Sequence, residues 1–86
     1  MAEELEMALV TELTETSGVV GDEGPIRAII ERELSGIADV VRTDAMGNLI
    51  ATINPDAEAS VLIGAHMDEI GFMVRHIDDD GFLTLD

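Results

Sequence analysis

The residues best suited to chemistry stand together at Ala65-His66-Met67-Asp68-Glu69. On an extended chain, side chains two apart point to the same side. His66 and Asp68 are therefore expected to project together, with Met67 turned away. A neutral imidazole is a good zinc ligand, and a neighbouring carboxylate fixes its tautomer and raises its basicity. A zinc centre takes three or four protein ligands, so one histidine is not a centre. From spacing alone a non-metal role for the pair is the better reading. Its place directly after an apolar run shifts the balance towards a ligand site, because ligands in α/β sheets collect at the carboxyl ends of strands.

The other candidates are weaker. Asp78-Asp79-Asp80 could offer oxygens to a hard cation, but it lacks the ligand spacing of a calcium loop and reads as a solvated hairpin tip. His76 reads as a surface histidine in a strand. Ser17, Ser35 and Ser60 have no nucleophile-elbow context. Gly18, Gly21 and Gly24 do not follow a strand, which argues against a phosphate loop. Cysteine is absent, so disulfides, thiolate metal sites and a cysteine nucleophile are excluded.

The elements that position these residues follow from periodicity. Leu5, Leu9 and Leu13 recur every four residues and predict an amphipathic helix, with Glu3, Glu4, Glu6 and Glu12 mostly on the wet side. Thr16-Ser17-Gly18 ends it. Gly21-Asp22-Glu23-Gly24-Pro25 opens a second helix, with Asp22 as the expected cap and proline tolerated in the first turn. Its stripe is Ile26, Ile29, Ile30 and Leu34, and Ser35-Gly36 is the stop. Residues 40–43 and 49–53 read as a hairpin around the turn at 44–48. Residues 54–60 form a polar loop. The continuous apolar run at 61–65 predicts a central strand buried on both faces. Residues 72–77 and 82–85 predict two strands joined across Asp78-Asp79-Asp80-Gly81. The last of these reads as a strand cut off in mid-fold, which suggests a fragment.

At 86 residues and 9.2 kDa the chain holds one small domain or part of a larger one. A compact fold of this mass would expose roughly 4,900 Å² and form a thin core. Nineteen acidic residues face four basic ones, all arginine, for a net charge of -15. That balance argues against nucleic acid and anionic membranes, both of which require clustered positive charge. It also implies self-repulsion that concentrated salt would screen. With 47% hydrophobic residues the chain lacks the composition of a disordered segment. These features suggest a protein suited to a high-salt cytoplasm. The first seven residues carry three glutamates and no basic n-region, unlike a secretory signal. No apolar run approaches a membrane span.

Three stretches together resemble the glutamyl-aminopeptidase family of dinuclear metallopeptidases, peptidase family 42, which includes the tetrahedral TET aminopeptidases. The first is Ser17-Gly18-Val19-Val20-Gly21 with Glu23, Ile26 and Arg27. The second is Arg42-Thr43-Asp44-Ala45-Met46-Gly47-Asn48-Leu49-Ile50-Ala51. The third and most specific is Ala65-His66-Met67-Asp68-Glu69-Ile70-Gly71-Phe72-Met73-Val74. The resemblance covers essentially the whole chain but only the family's N-terminal quarter.

The resemblance implies an α/β fold: two N-terminal helices and strands of a mixed sheet from a zinc-peptidase-like catalytic domain, over residues 1–71. Residues 72–86 would open an inserted β-rich dimerisation domain. It implies removal of N-terminal residues from peptides by a metal-activated water. His66 looks like the first ligand of one of two divalent metal ions, zinc or cobalt, and Asp68 like the carboxylate that orients it and supports catalysis. This chain would hold one partial site at most, since the family's remaining ligands and its general base lie downstream, and it would be inactive alone. Substrate-binding residues are not identified. Peptide substrates, a cytoplasmic location and a homo-oligomer of twelve subunits are implied in the same way. Gly24-Pro25 departs from the family's polar residues at that helix start. The competing reading is a non-catalytic remnant or interaction module whose apolar strands recruit other chains.

Overall fold

The computed structural model describes residues 2–86; Met1 and the side chains of Ala2 and Leu5, the first residue of the predicted stripe, lie outside the described residues. Helix α1 spans Ala2–Glu15, with Glu3 and Glu4 in its first turn, where the helix dipole favours negative charge. Near its end the hydroxyls of Thr14 and Thr16 donate to the carbonyls of Val10 (2.8 Å) and Glu12 (2.6 Å), and the Thr16 N–H also donates to the Glu12 carbonyl (3.1 Å). Helix α2 spans Gly24–Leu34 with Pro25 in its first turn. Its cap is not the expected Asp22. Glu23 holds the capping position, without a side-chain cap bond. The Glu23 carboxylate instead accepts from the Gly21 N–H (3.0 Å), and the Asp22 N–H closes a turn onto the Val19 carbonyl (2.8 Å).

Strand β1 (Val40–Thr43) pairs antiparallel with β2 (Leu49–Thr52), in the register Val40 to Thr52 and Arg42 to Ile50. Asp44 organises the turn between them. Its carboxylate accepts from the Met46 and Asn48 N–H groups and the Asn48 side-chain amide, each at 2.9 Å. Gly47 sits there at φ 88, a conformation that glycine adopts without strain. Strands β3 (Val74–Ile77) and β4 (Leu83–Leu85) form a second antiparallel hairpin. Asp78 builds its tip by accepting from the Asp80 and Phe82 N–H groups (3.0 and 2.9 Å). The chain is thus α/β, with two helices and two separate two-stranded antiparallel sheets among the described residues.

The mixed sheet expected from the sequence is not formed, because the strand that would centre it is unpaired. Residues 61–65 run without ladder partners among the described residues, and Val61, Leu62 and Ile63 are 90%, 94% and 91% exposed. A strand exists through its neighbours' hydrogen bonds, and the ladder of each hairpin runs only between its own two strands. The core is correspondingly small. Ile26 and Ile29 of α2 are the buried hydrophobic residues among those described, and β2 lies against that helix. The radius of gyration is 17.1 Å, whereas a compact chain of this length would have about 12 Å. No helix among the described residues is long and apolar enough to cross a membrane.

Candidate functional site

The loop at 17–21 and the segment at 65–71 meet beside the N-terminus of α2. Val19 and Glu69 form a parallel bridge, in which the Glu69 N–H donates to the Gly18 carbonyl at 2.8 Å. Gly18 is buried here, and the space behind it is taken: a Cβ would lie 3.1 Å from Ile26 Cγ2 and 3.2 Å from the Met67 carbonyl oxygen. Close approach of the two backbones therefore depends on glycine at 18.

His66 and Asp68 do come together. His66 Nδ1 lies 3.1 Å from Asp68 Oδ1 and 3.0 Å from the Asp68 carbonyl oxygen. Two acceptors on one ring nitrogen favour the tautomer with its proton on Nδ1. Nε2 then carries the lone pair, and it has no hydrogen-bond partner among the described residues. The imidazole is 84% exposed and the Asp68 side chain 40%. Both face an open groove of about 310 Å³, whose other walls include Glu23, Ile30, Leu34, Met46 and Leu49.

Glu23 brings a second carboxylate to this groove. Hydrogen bonding from the Gly21 N–H, then from its own backbone N–H, and the nearby Arg27 charge hold its pKa below the usual carboxylate range, against opposing pushes from desolvation and, more weakly, from Asp68. Arg27 links the groove's two sides. Its Nε donates to the Gly47 carbonyl at 3.0 Å, and its guanidinium lies 4.0 Å from Glu23. Tied in this way, the Asp44–Asn48 turn stands opposite His66.

The donor set fits one corner of a metal site: an imidazole with an open Nε2, oriented by a carboxylate through Nδ1. It does not complete one. Among the described residues no three histidine or acidic side chains converge on a common point. His76 and the acids at 78–80 are exposed on the second hairpin and take no part in the groove. Sequence reasoning assigned no role to Glu69 or to the Arg27 link. Both lay inside the stretches that carry the resemblance, but their partners, Gly18 and Gly47, are 51 and 20 residues away.

Residues 47–86, which include the His66–Asp68 pair, match the family model described as M42 glutamyl aminopeptidase. A lysyl aminopeptidase of Pyrococcus furiosus is 42% identical over 78 residues, which is 90% of this chain and 22% of that protein. A protein of Acetivibrio thermocellus is 42% identical over 83 residues, 96% of this chain and 25% of its own length. The chain is thus similar to the M42 glutamyl aminopeptidase family. A glutamyl aminopeptidase of Lactococcus lactis subsp. cremoris is 34% identical over 74 residues, 84% of this chain and 21% of that relative. The chain spans about a quarter of the length of the curated relatives it matches.

Proposed function

We propose that this chain is part of an M42 aminopeptidase with two divalent metal ions, zinc or cobalt, and supplies the first metal ligand, His66, and its orienting carboxylate, Asp68. The observation that carries the reading is the His66–Asp68 contact at 3.1 Å, with no hydrogen-bond partner for Nε2 among the described residues. When bound, such metals polarise the scissile carbonyl and lower the pKa of an attacking water. The chain's own residues prepare the ligand. Asp68 accepts a hydrogen bond from Nδ1–H and holds the imidazole in the tautomer that leaves the lone pair on Nε2. Glu23 keeps a negative charge beside the groove, a setting suited to cations.

The remaining ligands and the general base belong, on this reading, to parts of the protein outside these 86 residues. Residues 1–71 form the start of the catalytic domain, and 72–86 lead into an inserted dimerisation domain. Residues 61–65 become a central strand of a mixed sheet once neighbours flank them. The substrates are peptides with a free N-terminus. The working form is a cytoplasmic homo-oligomer of twelve subunits, and its acidic surface suits concentrated salt.

The test uses the complete protein, loaded with zinc or cobalt and assayed for hydrolysis of aminoacyl p-nitroanilides in molar salt. Activity that is lost on chelation, together with loss of one bound metal in His66→Ala, is the expected result. A metal-loaded protein that cleaves none of these substrates would sink the proposal. A second reading, an interaction module without catalysis, is favoured by the bare apolar stretch at 61–63. It predicts self-association and metal binding unchanged by His66→Ala.

A further inference from the structure

We infer that Glu69 is a positioning residue for the His66–Asp68 pair, acting through a two-point clamp on Gly18. The clamp uses both parts of the residue. The Glu69 N–H donates to the Gly18 carbonyl at 2.8 Å. The Glu69 carboxylate accepts from the Gly18 N–H through Oε1 at 3.3 Å. Both polar groups of one buried peptide segment are thereby bound to a single residue.

The pair has little else to hold it. Among the described residues, no backbone N–H between Ala57 and Glu69 donates a backbone–backbone hydrogen bond. His66 is 84% exposed, and among the described residues its ring is held by Asp68 alone. Asp68 is joined directly to Glu69, so the clamp is the nearest fixed point of the chain. Packing reinforces it from both sides. Gly18 leaves 3.2 Å between a would-be Cβ and the Met67 carbonyl oxygen, and Gly71 leaves only 2.5 Å between its own and Val19 Cγ2. Residues 66–68 are thus pressed against the loop at 17–21 in one register. The carboxylate closes that contact from outside, where water would otherwise compete for the Gly18 N–H.

The inference rests on the reading of His66 as a ligand for its effect on metal, but not for the clamp itself. It is tested in the complete protein with Glu69→Ala and Glu69→Gln. Three readouts are used: hydrogen exchange at the Gly18 amide, the imidazole nitrogen shifts of His66 without metal, and cobalt(II) affinity followed by its visible absorption. Loss of a partner that orients a metal ligand lowers affinity by about 10–100-fold. Glu69→Ala is expected at the lower end of that range, with faster exchange at Gly18 and His66 shifts moved towards a tautomer mixture. Glu69→Gln keeps an acceptor for Gly18 and is expected within about threefold of the parent, since a neutral hydrogen bond is roughly half as strong as a charge-assisted one.

Either of two results overturns the inference. One is a Glu69→Ala protein with the parent's Gly18 exchange and His66 shifts. The other is a Glu69→Gln protein as impaired as Glu69→Ala, which would make the charge rather than the clamp the active feature. A parent protein that binds no cobalt would overturn the proposed function, while Gly18 exchange and the metal-free His66 shifts would still decide the clamp.

Discussion

Replacing Gly71 with alanine tests whether the candidate site depends on close packing of two chain segments. Gly71 does not have a positive φ, so alanine meets no backbone objection there. The obstacle is steric. The new Cβ would lie 2.5 Å from Val19 Cγ2, with Cγ1 at 3.4 Å and Cβ at 3.5 Å. Carbon atoms prefer about 3.5–4.0 Å, so one methyl is overlapped by about an ångström while the rest of Val19 is in ordinary contact. Rotating Val19 is restricted, because β-branched side chains are stiff at χ1. Overpacking of this kind costs about 1–3 kcal/mol. Val19 is only half-buried, which places the cost in the lower half of that range. At 1.4 kcal/mol per factor of ten, the bridge between Val19 and Glu69 would open roughly 5–30 times more often. The assay is hydrogen exchange at the Glu69 amide, whose N–H is bound to the Gly18 carbonyl. Gly64→Ala is the control, since a Cβ there meets nothing within 4 Å. Equal exchange in Gly71→Ala and Gly64→Ala would refute the packing argument.

Two further outcomes follow from charge. Arg32 grips Glu12 through two bonds of 2.8 Å, joining α1 to α2, and this hydrogen bonding holds the Glu12 pKa below the usual carboxylate range. A group whose folded pKa is depressed stabilises the fold above its unfolded pKa and loses that contribution as pH falls through the folded value. Helicity should therefore drop in an acid titration below the ordinary carboxylate range, and Glu12→Gln, titrated alongside by circular dichroism, should lack that part of the drop. The net charge of -15 predicts a thermal midpoint that rises with sodium chloride up to about 1 M, where the Debye length is roughly 3 Å; a midpoint independent of salt would contradict self-repulsion as a stability factor.

Much of the local structure was legible in the residue pattern. The apolar spacing and the Pro25 and Ser35-Gly36 signals placed both helices, and the turn residues at 44–48 and 78–81 placed both hairpins. The approach of His66 to Asp68 was legible for the same reason, since it depends on side-chain alternation over three residues. The cap of α2 was not. Asp22 has the right chemistry, but the turn onto Val19 uses its backbone and leaves the capping position to Glu23.

What the sequence determined by itself is therefore what dihedral preference and short-range hydrogen bonding can decide: helix, turn and hairpin, and two candidate site side chains on one side of an extended segment. The tertiary structure alone decided which segments touch. The apolar run at 61–65 has the composition of a buried strand, yet it lies exposed, because burial needs partners that composition does not specify. Conversely, nothing local marks Gly18 and Glu69 as neighbours across 51 residues. They meet because two glycines, Gly18 and Gly71, leave the space for one backbone to lie against the other.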